Sequence, residues 1–203
     1  MVKRRLVERL SLALVLVAVG VFLVACGNSG GKAKGGGAAT AAGSGSAQAA
    51  MSGMAPYSGP DKILASIQSS KTVTINLVAA EGSAESGFNF NGYAKGDMAI
   101  EVPTGWTVKV SFTDASSTPH SALIVPWNER QAAIFHPAFP GAATSDYRSG
   151  IEKGDSAQSF SFTADTAGHY AVVCGVPGHD DLGMWDRFDV VDNLAAPRVL
   201  VKQ

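Results

Sequence analysis

The stretch CGVPGHDDLGMW, residues 174–185, spaces Cys174, His179 and Met184 five residues apart. Thiolate and imidazole bind copper strongly, and a thioether can complete such a site as a long, weak axial donor. A trigonal copper site with one Cys and an axial Met needs two imidazoles. The chain has four histidines, His120, His136, His169 and His179. His120 lies in DASSTPHSALIV, directly after Pro119 and at the start of an apolar strand-like run. A sheet can hold a ligand there rigidly, while the other three come from one loop between two strands.

A lone cysteine after YAVV would read as a buried core thiol. His at +5 and Met at +10, in a loop rich in Gly and Pro, point instead to convergence on a metal. Met184 beside Trp185 could also be plain core, but its place in the loop favours the axial role. Pro177 lacks an N–H, and Gly175, Gly178 and Gly183 permit tight turns. The turn can therefore gather three ligands while offering the sulfur few hydrogen bonds. A drier site with fewer such bonds favours Cu(I) and raises the reduction potential. His136, in a long loop, and His169, at a strand start after Gly168, match no ligand position and are expected to be surface or locally hydrogen-bonded residues.

The elements that must position these residues are strands. TVTINLV, DMAIEV, WTVKVSFTD, HSALIVP, SFSFTA, HYAVVC and MWDRFDVV are strand-length apolar or alternating segments broken by Gly, Pro, Asn and Asp. This pattern indicates an all-β sandwich or barrel. About 120 residues suffice for one core of two packed sheets. Most of Trp106, Phe112, Phe160, Phe162, Tyr170 and Phe188 are assigned to that core. DKILASIQSS, residues 61–70, reads as a short helix capped by Asp61. Residues 126–156 lack a strong strand signal and make an unusually long loop, expected to cover the site.

The segments FNFNGY (88–93), EVPTGWTVKVSFTD (101–114), TPHSALIV (118–125) and AGHYAVVCGVPGHDDLGMW (167–185) resemble the cupredoxins, in particular the sulfocyanin and rusticyanin group. The likeness covers roughly residues 72–192 and includes the C-x4-H-x4-M spacing. It implies a Greek-key β-sandwich with one type 1 (blue) copper held by His120, Cys174, His179 and Met184. Ser121, where many cupredoxins have Asn and rusticyanin has Ser, implies a higher potential. It also implies an electron carrier rather than an enzyme. Its partners would be cytochromes or a terminal oxidase, in brief contact where the His179 edge emerges among Val176, Pro177 and Leu182. Asp180 and Asp181 are then either solvated loop charges or steering groups.

The front of the chain concerns location. Lys3, Arg4, Arg5 and Arg9 against Glu8 give residues 1–25 a net +3, leaving 12 basic and 16 acidic residues, net −4, for the rest. The basic start precedes the apolar run LSLALVLVAVGVFLVA, the pattern of a targeting segment. Leu23-Val24-Ala25-Cys26 resembles a bacterial lipobox, with Cys26 as the lipidated residue. The alternative is an uncleaved anchor helix, for which about 20 apolar residues suffice. Either places the domain outside the cytoplasm at a membrane. Residues 26–70, Gly-, Ala- and Ser-rich, are expected to be a disordered linker. Its stretch of about 34 such residues would reach on the order of 30 Å. Met51 and Met54 within it are taken as incidental.

The expected organisation is a signal or anchor over 1–25, linker over 26–70, copper domain over 71–192 and tail over 193–203. Nothing in the charge pattern suits nucleic acid, and a monomer is expected. An oxidase or nitrite reductase would need a second copper site with more histidines than remain. A dinuclear centre would need two loop cysteines. A copper-binding or delivery lipoprotein without an electron-transfer role, and a metal-free adhesive lipoprotein, are the other readings.

Overall fold

A computed structural model describes residues 51–59 and 62–203. The expected leader, the lipidation at Cys26 and the linker over 26–50 lie outside the described residues, as does the Asp61 cap. The described residues form ten strands: β1 (Met54–Pro56), β2 (Leu64–Ile67), β3 (Thr72–Ala79), β4 (Met98–Pro103), β5 (Trp106–Asp114), β6 (Leu123–Pro126), β7 (Gln158–Ala164), β8 (Gly168–Val173), β9 (Trp185–Val191) and β10 (Arg198–Lys202). No α-helix occurs among the described residues. The strands form two sheets, β1-β10-β4-β9-β8-β6 and β2-β3-β5-β7. The chain changes sheet at every step from β3 to β8, the crossing path of a Greek-key sandwich.

Alternation in the sequence becomes the two faces of each strand. Val73, Ile75 and Leu77 of β3 lie beside Val108, Val110 and Phe112 of β5 in parallel register. Phe160 and Phe162 of β7 stand opposite Val110 and Val108. All of these point into the space between the sheets and are buried. The aromatic contact between Phe162 and Phe188, 5.8 Å between ring centroids, crosses from one sheet to the other. Burying a phenylalanine such as Phe112 or Phe188 contributes about 1.5–3 kcal/mol relative to leaving it exposed.

The folded part reaches further at both ends than 71–192. Met54 pairs with Lys202, and Val199 and Val201 of β10 pack into the core beside β4. The segment 61–70 is not a helix. Leu64–Ile67 pairs antiparallel with β3, and a 3-10 turn at Gln68–Ser70 closes the hairpin through Lys71 at φ 47°. A helix would have put Ile63, Leu64 and Ile67 on one apolar face. Only Ile63 is buried, and Asn76 donates from Nδ2 to the Lys62 carbonyl at 2.8 Å.

The long loop after β6 holds no strand, as expected, but it is laced to the neighbouring chain. Ile124 N–H donates to Ala142 O at 2.9 Å, and Thr144 N–H to Ala122 O at 2.9 Å. Phe135 joins Leu123, Val125, Ala171 and Val173 in a second apolar cluster, with Trp127, Tyr147 and Trp185 packed against it.

Candidate metal centre

His120 stands ahead of β6. Its N–H donates to Ile151 O at 2.9 Å and its carbonyl accepts from Ile151 N–H at 2.8 Å. The far end of the long loop therefore fixes the backbone of this residue. Gly150 lies against the pair at φ +76°, and a Cβ there would come within 2.6 Å of the His120 carbonyl oxygen. Cys174 follows β8, and its N–H donates to Met184 O at 3.1 Å. Within the loop, His179 N–H bonds Val176 O at 3.2 Å and Met184 N–H bonds His179 O at 3.0 Å. Gly178 and Gly183 make the turns, at φ +84° and +99°. The loop is a closed, hydrogen-bonded unit rather than a slack connection.

These constraints bring three donor atoms together. Cys174 Sγ lies 3.9 Å from His120 Nδ1 and 3.4 Å from His179 Nδ1, and the two Nδ1 atoms are 3.2 Å apart. A point in their plane is about 2 Å from all three, close to metal–nitrogen and metal–thiolate bond lengths. One thiol and two imidazoles at this spacing fit a copper ion. His120, Cys174 and Met184 are 1 %, 0 % and 0 % exposed, whereas His179 reaches the surface at 9 %.

The electrostatics follow from burial. Burial, and secondarily the His179 imidazole, lowers the His120 pKa to about 4. His179 is lowered by burial as well. Burial raises the Cys174 thiol to about 11, against smaller opposing pulls from hydrogen bonds with Val176 and Ser121. Without metal the site thus holds a neutral thiol and neutral imidazoles at pH 7, all of them poor in compensating charge.

Two neighbours shape the site. Ser121 Oγ donates to Tyr147 O at 2.6 Å and accepts from Gly175 N–H at 2.9 Å, while standing 3.8 Å from the sulfur. Its proton is directed at the Tyr147 carbonyl. Phe88 packs T-shaped against both imidazoles, at 4.9 Å from His179 and 5.9 Å from His120 between centroids. Buried Asn89 holds the Phe88 turn by donating to Ala84 O and accepting from Gly92 N–H. Phe88 lay in the quoted FNFNGY motif, but no spacing rule tied it to the histidines. Gly150 and Ile151 carried no signal at all.

The remaining candidates lie elsewhere. His136 is exposed beside Glu129, and His169 Nδ1 is 2.8 Å from Asp189 Oδ1. Asp180 is buried, with its carboxyl pushed up by burial, and its carbonyl accepts from Gly183 N–H. Of the acidic pair only Asp181 is exposed. Asp180 belongs to the architecture of the loop rather than to a solvated surface.

A Greek-key sandwich that gathers His, Cys and His beside a buried Met, at the turn between β8 and β9, defines a cupredoxin. The family model of the sulfocyanin (SoxE) domain matches residues 60–201. The sulfocyanin of Sulfolobus acidocaldarius is 34% identical over 146 residues, 66% of this chain and 70% of that protein. The chain belongs to the sulfocyanin family. Its cofactor is accordingly one type 1 copper, and proteins of this class carry electrons. Similar solved structures include auracyanin from Roseiflexus castenholzii, at TM-score 0.43 and 24% identity over 58% of this chain and 96% of that one. Rusticyanin from Thiobacillus ferrooxidans aligns at TM-score 0.42 and 23% identity, covering 72% of this chain and 92% of that one.

Proposed function

We propose that the protein is a membrane-tethered blue copper carrier moving single electrons between extracytoplasmic redox partners. His120, Cys174, His179 and Met184 would hold the copper, the thiolate and the two imidazoles as strong donors and the thioether as a weak one. The observation that carries this reading is the convergence of the Cys174, His120 and His179 donor atoms within 3.2–3.9 Å of one another. Bound copper supplies a one-electron couple between Cu(II) and Cu(I).

The chain's own residues set the conditions for that couple. The sheet and the closed loop hold the donors in place before metal arrives, so little rearrangement accompanies a change of charge. Phe88 and the surrounding core exclude water. The Ser121 hydroxyl is held mainly by the Tyr147 carbonyl at 2.6 Å and at 3.8 Å is only a weak partner for the sulfur, which favours Cu(I). His179, the only one of the four with an exposed edge, is the exit for the electron. Exposed Leu182 follows it in the same loop, and exposed Ile134 lines a cavity with Pro177 and Gly178, so apolar groups are available for contact. Such a surface suits the small, brief interfaces of redox partners, here a cytochrome or a terminal oxidase. The tether rests on the lipobox-like Leu23–Cys26, with lipid on Cys26 holding the domain at the outer face of the membrane.

The test is the visible spectrum of the full-length protein with one equivalent of Cu(II). An intense blue thiolate band, bleached by ascorbate and absent in Cys174→Ser, is expected. A colourless protein, or a band that survives Cys174→Ser, rejects the ligand assignment.

A further inference from the structure

Successive residues of a strand face opposite sides, so Met184 turns into the main core while Trp185 packs with the cluster on the outer face of the sheet. There the structure leaves two donors unused. Trp185 Nε1 and Arg187 Nε are both buried, with no hydrogen-bond partner among the described residues. Arg187 is 7 % exposed, and its Nη2 donates to Asp189 Oδ2 at 3.3 Å. Buried polar atoms are nearly always satisfied, so two orphan donors on neighbouring side chains call for an acceptor.

The surroundings say which kind. Trp185 and Arg187 line a cleft of about 330 Å³ together with Trp127, Lys95, Lys202 and Asp97. Three cations and one carboxylate line it, and Arg187 also pairs with Asp189 at 3.3 Å. Lys202 pairs with Asp97 at 3.1 Å and Lys95 with Glu85 at 2.6 Å, both at exposed positions where such pairs are weak. The indoles of Trp127 and Trp185 meet edge-on at 5.7 Å. The Arg187 guanidinium carbon stands 5.1 Å from the Trp127 ring centroid, and that of Arg130 stands 4.2 Å from it. Stacking of this kind fixes the guanidinium plane. Indole N–H, guanidinium and ammonium are donors only. The occupant must therefore bring acceptors and negative charge.

We propose that this cleft binds an oxyanion, a phosphate or sulfate group that is either free or esterified to a small organic body. Arg187 Nε and Trp185 Nε1 donate to its oxygens, and Lys95 and Lys202 balance its charge. None of these residues is among the proposed copper ligands, and binding is read without copper.

The experiment is calorimetric titration of the metal-free, full-length protein with inorganic phosphate, with sulfate and with glycerol 1-phosphate. Each is matched by chloride at equal ionic strength, and thermal midpoints are recorded alongside. Saturable binding of the oxyanions with a raised midpoint is expected, weakened about tenfold or more in Arg187→Gln and in Trp185→Phe, which keeps an aromatic ring but loses the N–H. Preference for glycerol 1-phosphate over inorganic phosphate identifies an ester as the occupant; the reverse identifies the free ion. Should Arg187→Gln fail to fold, Trp185→Phe and the exposed Lys202→Gln carry the comparison. A response equal to that of chloride, or binding unchanged in both Trp185→Phe and Lys202→Gln, overturns the proposal and leaves the two donors to water.

Discussion

Ser121 Oγ accepts the Gly175 N–H at 2.9 Å, joining the residue after His120 to the residue after Cys174. The same hydroxyl donates to Tyr147 O at 2.6 Å. One side chain thus ties together the sheet-borne ligand segment, the ligand loop and the long loop. Ser121→Ala leaves a buried N–H and a part-buried carbonyl without their partner, at a cost of about 1–3 kcal/mol for the buried N–H and less for the carbonyl. The expected result is a lower denaturation midpoint with the blue band retained, because no ligand is removed. Chemical denaturation of the copper-free and copper-loaded forms measures it; an unchanged midpoint would show that the tie holds nothing together.

Glycines at positive φ are not equivalent here. At Gly178 a Cβ would meet nothing within 4 Å, so Gly178→Ala carries only the backbone strain of φ +84°, about 1–2 kcal/mol. At Gly150 the same strain is joined by a clash with the backbone of His120, 2.6 Å from its carbonyl oxygen and 2.8 Å from its nitrogen. Gly150→Ala is expected to destabilise by well over the Gly178→Ala cost and to weaken copper binding, although residue 150 lies thirty positions from His120 in sequence. Thermal melts and copper titrations of the two variants side by side decide this. Equal losses would mean that the contact with His120 is easily relieved.

These contrasts show where the sequence was informative. Val73, Ile75 and Leu77, or Phe160 and Phe162, alternate so regularly that each strand declares its buried face. The Cys174–His179–Met184 spacing is local, so the loop that bears the metal could be read directly. The edges were harder. The three residues of β1 and four of β2 are too short to show a period, and they are strands only because Lys202 and Ile75 lie opposite them. Arg198–Lys202 does alternate, but its partner β4 lies about a hundred residues upstream. The His120–Ile151 pairing is likewise a product of tertiary contact, and so is the approach of Phe88 to both imidazoles.

Copper uptake should release protons in a countable way. With the thiol pKa at about 11 and the His120 pKa at about 4, the metal-free site at pH 7 holds one proton that the metal must displace, the one on sulfur. The imidazoles are already neutral, since burial lowers both. Calorimetry in two buffers of different ionisation enthalpy is expected to give about one proton per Cu(II) at pH 7. Apparent affinity then rises about tenfold for each unit of pH up to the thiol pKa, and this dependence steepens at acid pH once an imidazole must also be deprotonated. A count near two at pH 7 would mean a protonated histidine, and a count near zero an ionised thiol.

Phe88 gives the final case. Its ring stands nearly perpendicular to both imidazoles, and it is half-buried beside them. Truncation to alanine removes the cover and admits water beside His120 and His179. Water stabilises the more highly charged Cu(II) state relative to Cu(I), so the reduction potential of Phe88→Ala should fall. Loss of a partly buried aromatic side chain should also destabilise the fold, by up to about 3 kcal/mol, less than for a fully buried phenylalanine. Redox titration followed at the blue band measures the first effect and thermal melting the second. Phe88→Leu, which keeps an apolar cover, should recover most of the potential. If it fell as far as the alanine variant, the T-shaped ring contacts with the histidines, rather than exclusion of water, would be what sets the potential.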